Sequence, residues 1–222
     1  MNQTETQTQY QRSPDLIDVL PLTAKRVIDI GCGVGVIAKE FHIRAAPEYY
    51  LGVEIVAENA EIAKQYCSEC IVGNIEEFDT ETWNQLAKYD LWVFGDVLEH
   101  LYDPWSVLKK VRSILPADGQ IACCIPNAQH WSMQARLSIG DWRYADAGLL
   151  DRTHIRFFTR QTIIELLQGA GFEITEIVPR YVHQPNADKF LDIIENLAAT
   201  TGADPKIARA DASVFQYIVK AR

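Results

Sequence analysis

Three glycines stand at alternate positions in Val27-Ile-Asp-Ile-Gly-Cys-Gly-Val-Gly35, where an apolar run gives way to a helical pattern. Glycine lets a chain turn sharply and bring its backbone close to a ligand, and a helix that opens there offers N–H donors without intrahelical partners. Gly31, Gly33 and Gly35 are therefore candidates for cradling a ligand. Asp29, just before the turn, suits the ammonium of an amino-acid-bearing ligand, directly or through water. Glu54 ends the next apolar run, 19 residues after Gly35. A carboxylate at that place can accept both hydroxyls of a ribose. Two ligands compete for the constellation. A nicotinamide dinucleotide wants glycine at the first, third and sixth positions of G-x-G-x-x-G; counted from Gly31, the sixth is Val36. The dinucleotide fingerprint thus lacks its helix-packing glycine, while the acid at position 29 suits an amino-acid-bearing cofactor.

A second set of residues carries proton chemistry. Histidine is the natural base for a hydroxyl because its pKa lies near neutrality. His154 lies among aromatic and basic residues, with Asp151 three positions earlier to orient its imidazole. It is the first candidate for a general base, and His100 is the reserve. Arg152 offers Asp151 an ion pair that would fix the loop. Glu99 reads as a structural hydrogen-bond partner. Trp131, Trp142, Tyr144, Phe157 and Phe158 fall in the same stretch; at least three are expected in the core, with Trp142 or Tyr144 available to stack on an acceptor. Cys67-Ser-Glu-Cys70 has the spacing of half a zinc site. The other half would have to come from Cys123 and Cys124, which are adjacent and point to opposite faces of a strand, so no metal is expected.

Alternating elements must position these groups. Apolar runs at 27–30, 49–54, 70–72, 89–94 and 120–125 read as strands, and 34–44, 57–67, 80–88 and 104–114 read as helices. Ser13 and Pro14 open a short helix over 13–20. Strand–helix alternation of this length predicts a parallel sheet covered on both faces. After Pro126 the rhythm breaks. Residues 127–158 contain no clear strand; Thr159 caps a helix ending at Gly169; strands follow at 172–178 and 213–219. The stretches 127–158 and 181–211, the latter with one helix at 187–199, read as substrate-side insertions in a single domain over residues 1–222, with a flexible arm at 1–12.

Composition narrows the class. The chain has 222 residues and a formal net charge of −9, and an acidic surface repels phosphate backbones, so no nucleic acid is expected. Arg136, Arg143, Arg152, Arg156 and Arg160 form the one basic patch that would overturn this. No apolar run is long enough to span a membrane, the polar N-terminus lacks a secretion core, and five cysteines read as buried thiols. A cytoplasmic location is the default. The oligomeric state is not legible.

Asp29-Ile-Gly-Cys-Gly-Val-Gly35 resembles the glycine motif of class I S-adenosylmethionine-dependent methyltransferases. The resemblance extends to Glu54, to Gly73-Asn-Ile75 and to Phe94-Gly-Asp-Val-Leu-Glu-His-Leu101, covering roughly residues 10–178 with the last strand. It implies a three-layer, doubly wound, Rossmann-like α/β fold whose seven-stranded sheet is mostly parallel with an antiparallel last strand. It also implies S-adenosyl-L-methionine as cofactor and S-adenosyl-L-homocysteine as product. Glu54 becomes the ribose acid. Asn74, which replaces the family's usual Asp, and Ile75 become adenine-side contacts, and Asp96 and Val97 line the methionine end. Tyr10 and Arg12 would fold over the cofactor. Gly140-Asp-Trp-Arg-Tyr144 with Leu149 to Thr159 resembles a bacterial subgroup often associated with glycosyltransferases and surface polysaccharides. The expected reaction is direct methyl displacement onto an oxygen or nitrogen of a small-molecule or glycan acceptor. Nucleic-acid amino-methylating relatives carry an Asn/Asp-Pro-Pro-Tyr motif where this chain has Gly95-Asp-Val-Leu98. A nicotinamide-dependent oxidoreductase and a non-catalytic cofactor-binding regulator are the alternatives.

Overall fold

The computed structural model describes residues 14–183, 185 and 187–222. The first strands are short, continuous apolar runs because they are covered on both faces. β1 spans Arg26–Ile30, β2 Tyr49–Glu54, β3 Glu69–Val72, β4 Leu91–Gly95 and β5 Gln120–Pro126. Helices join them: α1 over Pro14–Val19 precedes β1, α2 covers Val36–Arg44, α3 Ala57–Ala63, α4 Thr80–Gln85 and α5 Pro104–Ile114. Beyond β5 come α6 (Trp131–Ser138), α7 (Arg160–Gly169), β6 (Ile174–Arg180), α8 (Ala187–Thr201), α9 (Pro205–Ser213) and β7 (Gln216–Ala221). The Ser13 cap expected for α1, and Tyr10 and Arg12, lie outside the described residues.

The seven strands form one sheet in the order β3-β2-β1-β4-β5-β7-β6. β1 runs parallel to both β2 and β4, with Ile28 opposite Leu51 on one side and Trp92 on the other. β7 is antiparallel to β5 and to β6. This is the doubly wound, mostly parallel sheet with an antiparallel last strand that the sequence predicts. Strand alternation divides the core between two faces. Ile28, Leu51, Trp92, Phe94 and Cys123 pack against Trp83 of α4, Leu108 of α5 and Leu166 of α7. Val27, Tyr50, Val93 and Cys124 pack against Leu16 of α1, Ile37 of α2 and Ala63 of α3. Cys123 and Cys124 thus sit on opposite faces.

The wound sheet places the site. The chain leaves β1 toward β2 and returns to β4 on its other side, so the loops after β1 and β4 diverge and open a crevice at the carboxyl ends of the strands. The two insertions differ from expectation. Residues 127–158 contain α6, and the second insertion is a pair of helices, α8 and α9, whose Leu191, Ile194 and Ala212 pack together beside Trp131.

Candidate active site

Each glycine of the turn has a left-handed backbone: φ is +65° at Gly31, +57° at Gly33 and +82° at Gly35. The first lies against the far wall of the crevice, since a Cβ on Gly31 would meet Val97 Cγ2 at 2.5 Å. The second donates its N–H to Glu54 Oε2 at 2.8 Å. The third begins α2 and lies so close to α3 that a Cβ would meet Ala63 Cα at 3.1 Å. Gly35 thus takes the close-packing role that the sixth position of a dinucleotide motif would have filled.

Glu54 is buried. Its Oε2 accepts from Gly33 N–H and its Oε1 from Val56 N–H at 3.0 Å. The two backbone donors fix the carboxylate, and each oxygen keeps lone-pair capacity for a ribose hydroxyl. A cavity of about 290 Å³ opens beside it, lined among others by Gly31, Glu54, Asn74, Ile75, Asp96, Val97 and His100. That is the small end of the range usual for ligand pockets, roughly 300–1,000 Å³. Asn74 caps the 3₁₀ turn Ile75–Glu77 through a bond from Glu76 N–H to its Oδ1 at 3.0 Å. Asp96 has φ +57°, a left-handed backbone uncommon outside glycine and tolerated best by Asn, Asp and His. Such an outlier persists only where its surroundings over-determine it; here Gln216 of β7 donates to its carboxylate.

Strand alternation turns Asp29 to the face of Tyr50, whose hydroxyl donates to Asp29 Oδ2 at 3.2 Å. It is fully enclosed beneath the turn and does not line the cavity. Tyr50 holds it in a supporting position beneath the turn, next to Ile30 and Gly31 on the cavity wall.

The histidines do come together. His100 and His154, 54 positions apart, stack edge-to-face with centroids 4.8 Å apart. His100 Nδ1 lies 3.1 Å from Thr153 O and His154 Nδ1 lies 3.3 Å from Leu149 O. Those carbonyls assign the ring proton to Nδ1 in each and leave Nε2 as the acceptor. Both Nε2 atoms point at buried Glu99, whose Oε1 is 4.0 Å from one and 3.9 Å from the other. Burial lowers the pKa of His154, and neighbouring His100 lowers it further; a neutral imidazole at physiological pH is the result. The Glu99, His100 and His154 ligand atoms all lie within 4.8 Å of one another, a carboxylate–imidazole set that could hold a divalent cation.

Several companions fall away. Asp151 does not orient His154: its Oδ1 accepts from Thr153 N–H and Oγ1 at 2.8 and 2.6 Å and closes a local turn. Arg152 pairs with Asp146 instead of Asp151. The basic patch is largely neutralised, because Arg136 and Arg143 share Asp141 and Arg160 holds Asp211 at 2.7 Å. Of the five aromatics expected largely in the core, only Phe158 is buried; Trp142, Tyr144 and Phe157 are exposed. The sequence reading missed Glu76, which lines the cavity and accepts from the N–H groups of Tyr102 and Asp103 at 3.0 and 2.7 Å. Its position two residues past Asn74 was the signal available. It also missed the main chain of Glu99, whose carbonyl accepts from Ile155 and Arg156 N–H at 3.0 Å each and anchors the insertion to the site.

A glycine turn, a backbone-fixed carboxylate and a crevice at the switch point of a doubly wound sheet define an α/β protein built to take a nucleoside. Comparison with known proteins narrows this. Residues 5–177 match the model of a methyltransferase domain family, and the chain belongs to that family, within the class I S-adenosylmethionine-dependent fold. It is similar to a ubiquinone biosynthesis O-methyltransferase of Cereibacter sphaeroides, 26% identical over 165 residues, covering 72% of this chain and 64% of that protein. The chain therefore spans somewhat less than two thirds of that relative. Among solved structures, an S-adenosylmethionine-dependent methyltransferase from Mesorhizobium loti superposes with a TM-score of 0.62 at 17% identity, covering 94% of this chain and 96% of that one. The 1,6-didemethyltoxoflavin-N1-methyltransferase of Burkholderia thailandensis, solved with its substrate and S-adenosylhomocysteine, gives 0.60 at 17% identity, covering 99% and 81%. These likenesses support the fold. No helix among the described residues is long and apolar enough to cross a membrane.

Proposed function

We propose that the protein transfers a methyl group from S-adenosylmethionine to a hydroxyl of a small-molecule acceptor, with His154 as general base and His100 beside it. The observation that carries this reading is the contact of the His154 and His100 rings beside Glu99, with His100 on the wall of the cavity that Glu54, Asn74 and Asp96 also line. Bound S-adenosylmethionine supplies an electrophilic methyl on a sulfonium. Glu54 would hold its ribose hydroxyls, Asn74 and Ile75 would meet its adenine, and Asp96 and Val97 would flank its amino-acid end. His154 accepts the acceptor's proton at Nε2, and Glu99 stabilises the imidazolium that forms. Holding donor and acceptor in line contributes the rest. The similarity to O-methylating relatives supports oxygen over nitrogen. The exposed Trp142–Phe157 pair, 5.9 Å apart and edge-to-face, offers an apolar platform for an acceptor ring.

The convergence of two Nε2 acceptors on one carboxylate favours a second reading, in which a divalent cation sits among Glu99, His100 and His154 and lowers the pKa of the acceptor hydroxyl. Calorimetry with S-adenosylhomocysteine and with NAD, on wild type and Gly33→Val, tests the cofactor. Affinity for the homocysteine adduct alone, lost in the variant, is expected; binding of NAD alone overturns the assignment. A labelled-methyl screen of phenols, catechols and sugars, run with and without EDTA, then tests the acceptor and the cation. His154→Ala should keep cofactor affinity and lose turnover by roughly 10²–10⁴-fold. Full activity in that variant removes the base.

A further inference from the structure

The fold gathers three thiols that the sequence keeps apart. Cys32 lies inside the glycine turn, Cys67 just beyond α3 and Cys70 in β3, and their Sγ atoms all lie within 4.8 Å of one another. Cys67-Ser-Glu-Cys70 is the half-site legible in the sequence. Its missing ligand is Cys32, not Cys123 or Cys124, which are buried in the opposite half of the sheet.

Gly52, in the middle of β2, is what lets them converge. A Cβ built on Gly52 would stand 2.7 Å from Cys32 Sγ and 3.2 Å from the sulfurs of both Cys67 and Cys70. Any side chain there would push all three outward. Three thiolates at the usual zinc–sulfur distance of about 2.3 Å stand about 3.8–4.0 Å apart, so the trio needs only small rotations of side chains to close on one ion. The neighbouring Cys67 thiol, burial and the nearby Asp29 and Glu54 carboxylates raise the pKa of the Cys32 thiol. A cation offsets that negative charge. A way in exists: a surface crevice of about 400 Å³, lined by Lys39, His42, Gln65, Tyr66 and Ser68, reaches Cys67, and Cys70 is partly exposed.

We propose that Cys32, Cys67 and Cys70 form a three-thiolate site for one thiophilic d10 cation of the Zn(II), Cd(II) or Cu(I) class, behind the cofactor turn. Thiolates select such ions over Mg(II) and Ca(II). Binding displaces the three thiol protons to solvent, so affinity rises with pH. The site is separate from Glu99, His100 and His154, which offer no sulfur.

Cd(II) added to the reduced, metal-free protein under anaerobic conditions tests this, since cadmium–thiolate bonds absorb in the near ultraviolet and carboxylate or imidazole bonds do not. Saturation of that band at one equivalent is expected, with Zn(II) competing it away and Mg(II) without effect. Cys32→Ala and Gly52→Ala should each weaken binding by more than the roughly 10–100-fold typical of an outer-shell change. Wild type gives a readout that does not depend on how the variants fold: one equivalent of Zn(II) should slow alkylation of Cys67 and Cys70 by iodoacetamide, read by mass spectrometry. Absence of the thiolate band together with unchanged alkylation overturns the site. An unaltered band in folded Cys32→Ala overturns the assignment of the third ligand.

Discussion

At the scale of single residues, the cofactor wall depends on one missing Cβ. Gly31→Ala places a methyl 2.5 Å from Val97 Cγ2 on a backbone with φ +65°. Both effects act against the variant, so its affinity for S-adenosylhomocysteine should fall by at least about tenfold, or 1.4 kcal/mol. Adding Val97→Ala removes the clash but not the backbone strain, so the double variant should recover part of that affinity. Calorimetry of the three proteins decides: a double variant no better than Gly31→Ala shows that strain alone is at fault. His154 gives a second prediction. Its pKa is lowered by burial and by His100, and the neutral form is the base. Turnover should therefore rise with pH through an acid limb lying below the ordinary histidine value of about 6.5 and be level above it. The residual rate of His154→Ala should lack that limb. A limb centred above the ordinary value would contradict the assignment.

At the scale of elements, α6 is capped by a buried histidine. His130 Nδ1 accepts from Ser132 N–H at 3.3 Å, and burial pushes its pKa down to about 4. Between that value and about 6.5 the unfolded chain binds a proton that the folded chain does not. Stability from this group is thus complete above about 6.5 and declines as pH falls toward 4. His130→Asn keeps a cap acceptor without the titration. Its urea midpoint should fall less than that of wild type between pH 7 and 5; equal declines would assign the acid sensitivity elsewhere. α6 also shows where the sequence falls silent. The glycine turn, Glu54 and the helix over Pro104–Ile114 are written in adjacent residues, through local backbone chemistry and a strict apolar period. By contrast α6 is eight residues long; its buried Met133 packs with Leu149, Leu150 and Phe215, and its half-buried Trp131 with α8 and α9, all partners that only the fold brings near. His154 and Glu99 likewise meet only through the fold. The helix α9 was legible in principle, since Asp204-Pro205 is a cap followed by Pro at the first position, and Asp204 does accept from Lys206 and Ile207 N–H. The expectation that at least three of the five aromatics lie in the core failed for another reason, only Phe158 being buried: aromatic content does not distinguish a core from an exposed surface beside a cavity.

At the scale of the whole molecule, the ligand crevice is walled by four separate parts of the chain. Its walls come from the turn after β1, the end of β2, the 3₁₀ turn after β3 and the loop after β4. Glu76 bonds Tyr102 and Asp103 across one end, Glu99 holds the insertion at Ile155 and Arg156, and Gln216 in β7 reaches Asp96. A ligand seated there binds only the folded state, so it should stabilise the domain as a unit instead of one loop. At 100 times its dissociation constant, S-adenosylhomocysteine contributes about 2.7 kcal/mol. For a domain of this size each kcal/mol raises the melting temperature by roughly 2–4 °C. A single cooperative transition shifted upward by about 5–10 °C is expected. Glu54→Ala removes the ribose acceptor and the anchor for Gly33 and Val56 N–H together, so it should lower the melting temperature of the free protein and abolish most of the shift. Glu54→Gln retains one acceptor oxygen and should show an intermediate shift. A full shift in Glu54→Ala would place the nucleoside elsewhere in the molecule, since the carboxylate then holds nothing that the ligand needs.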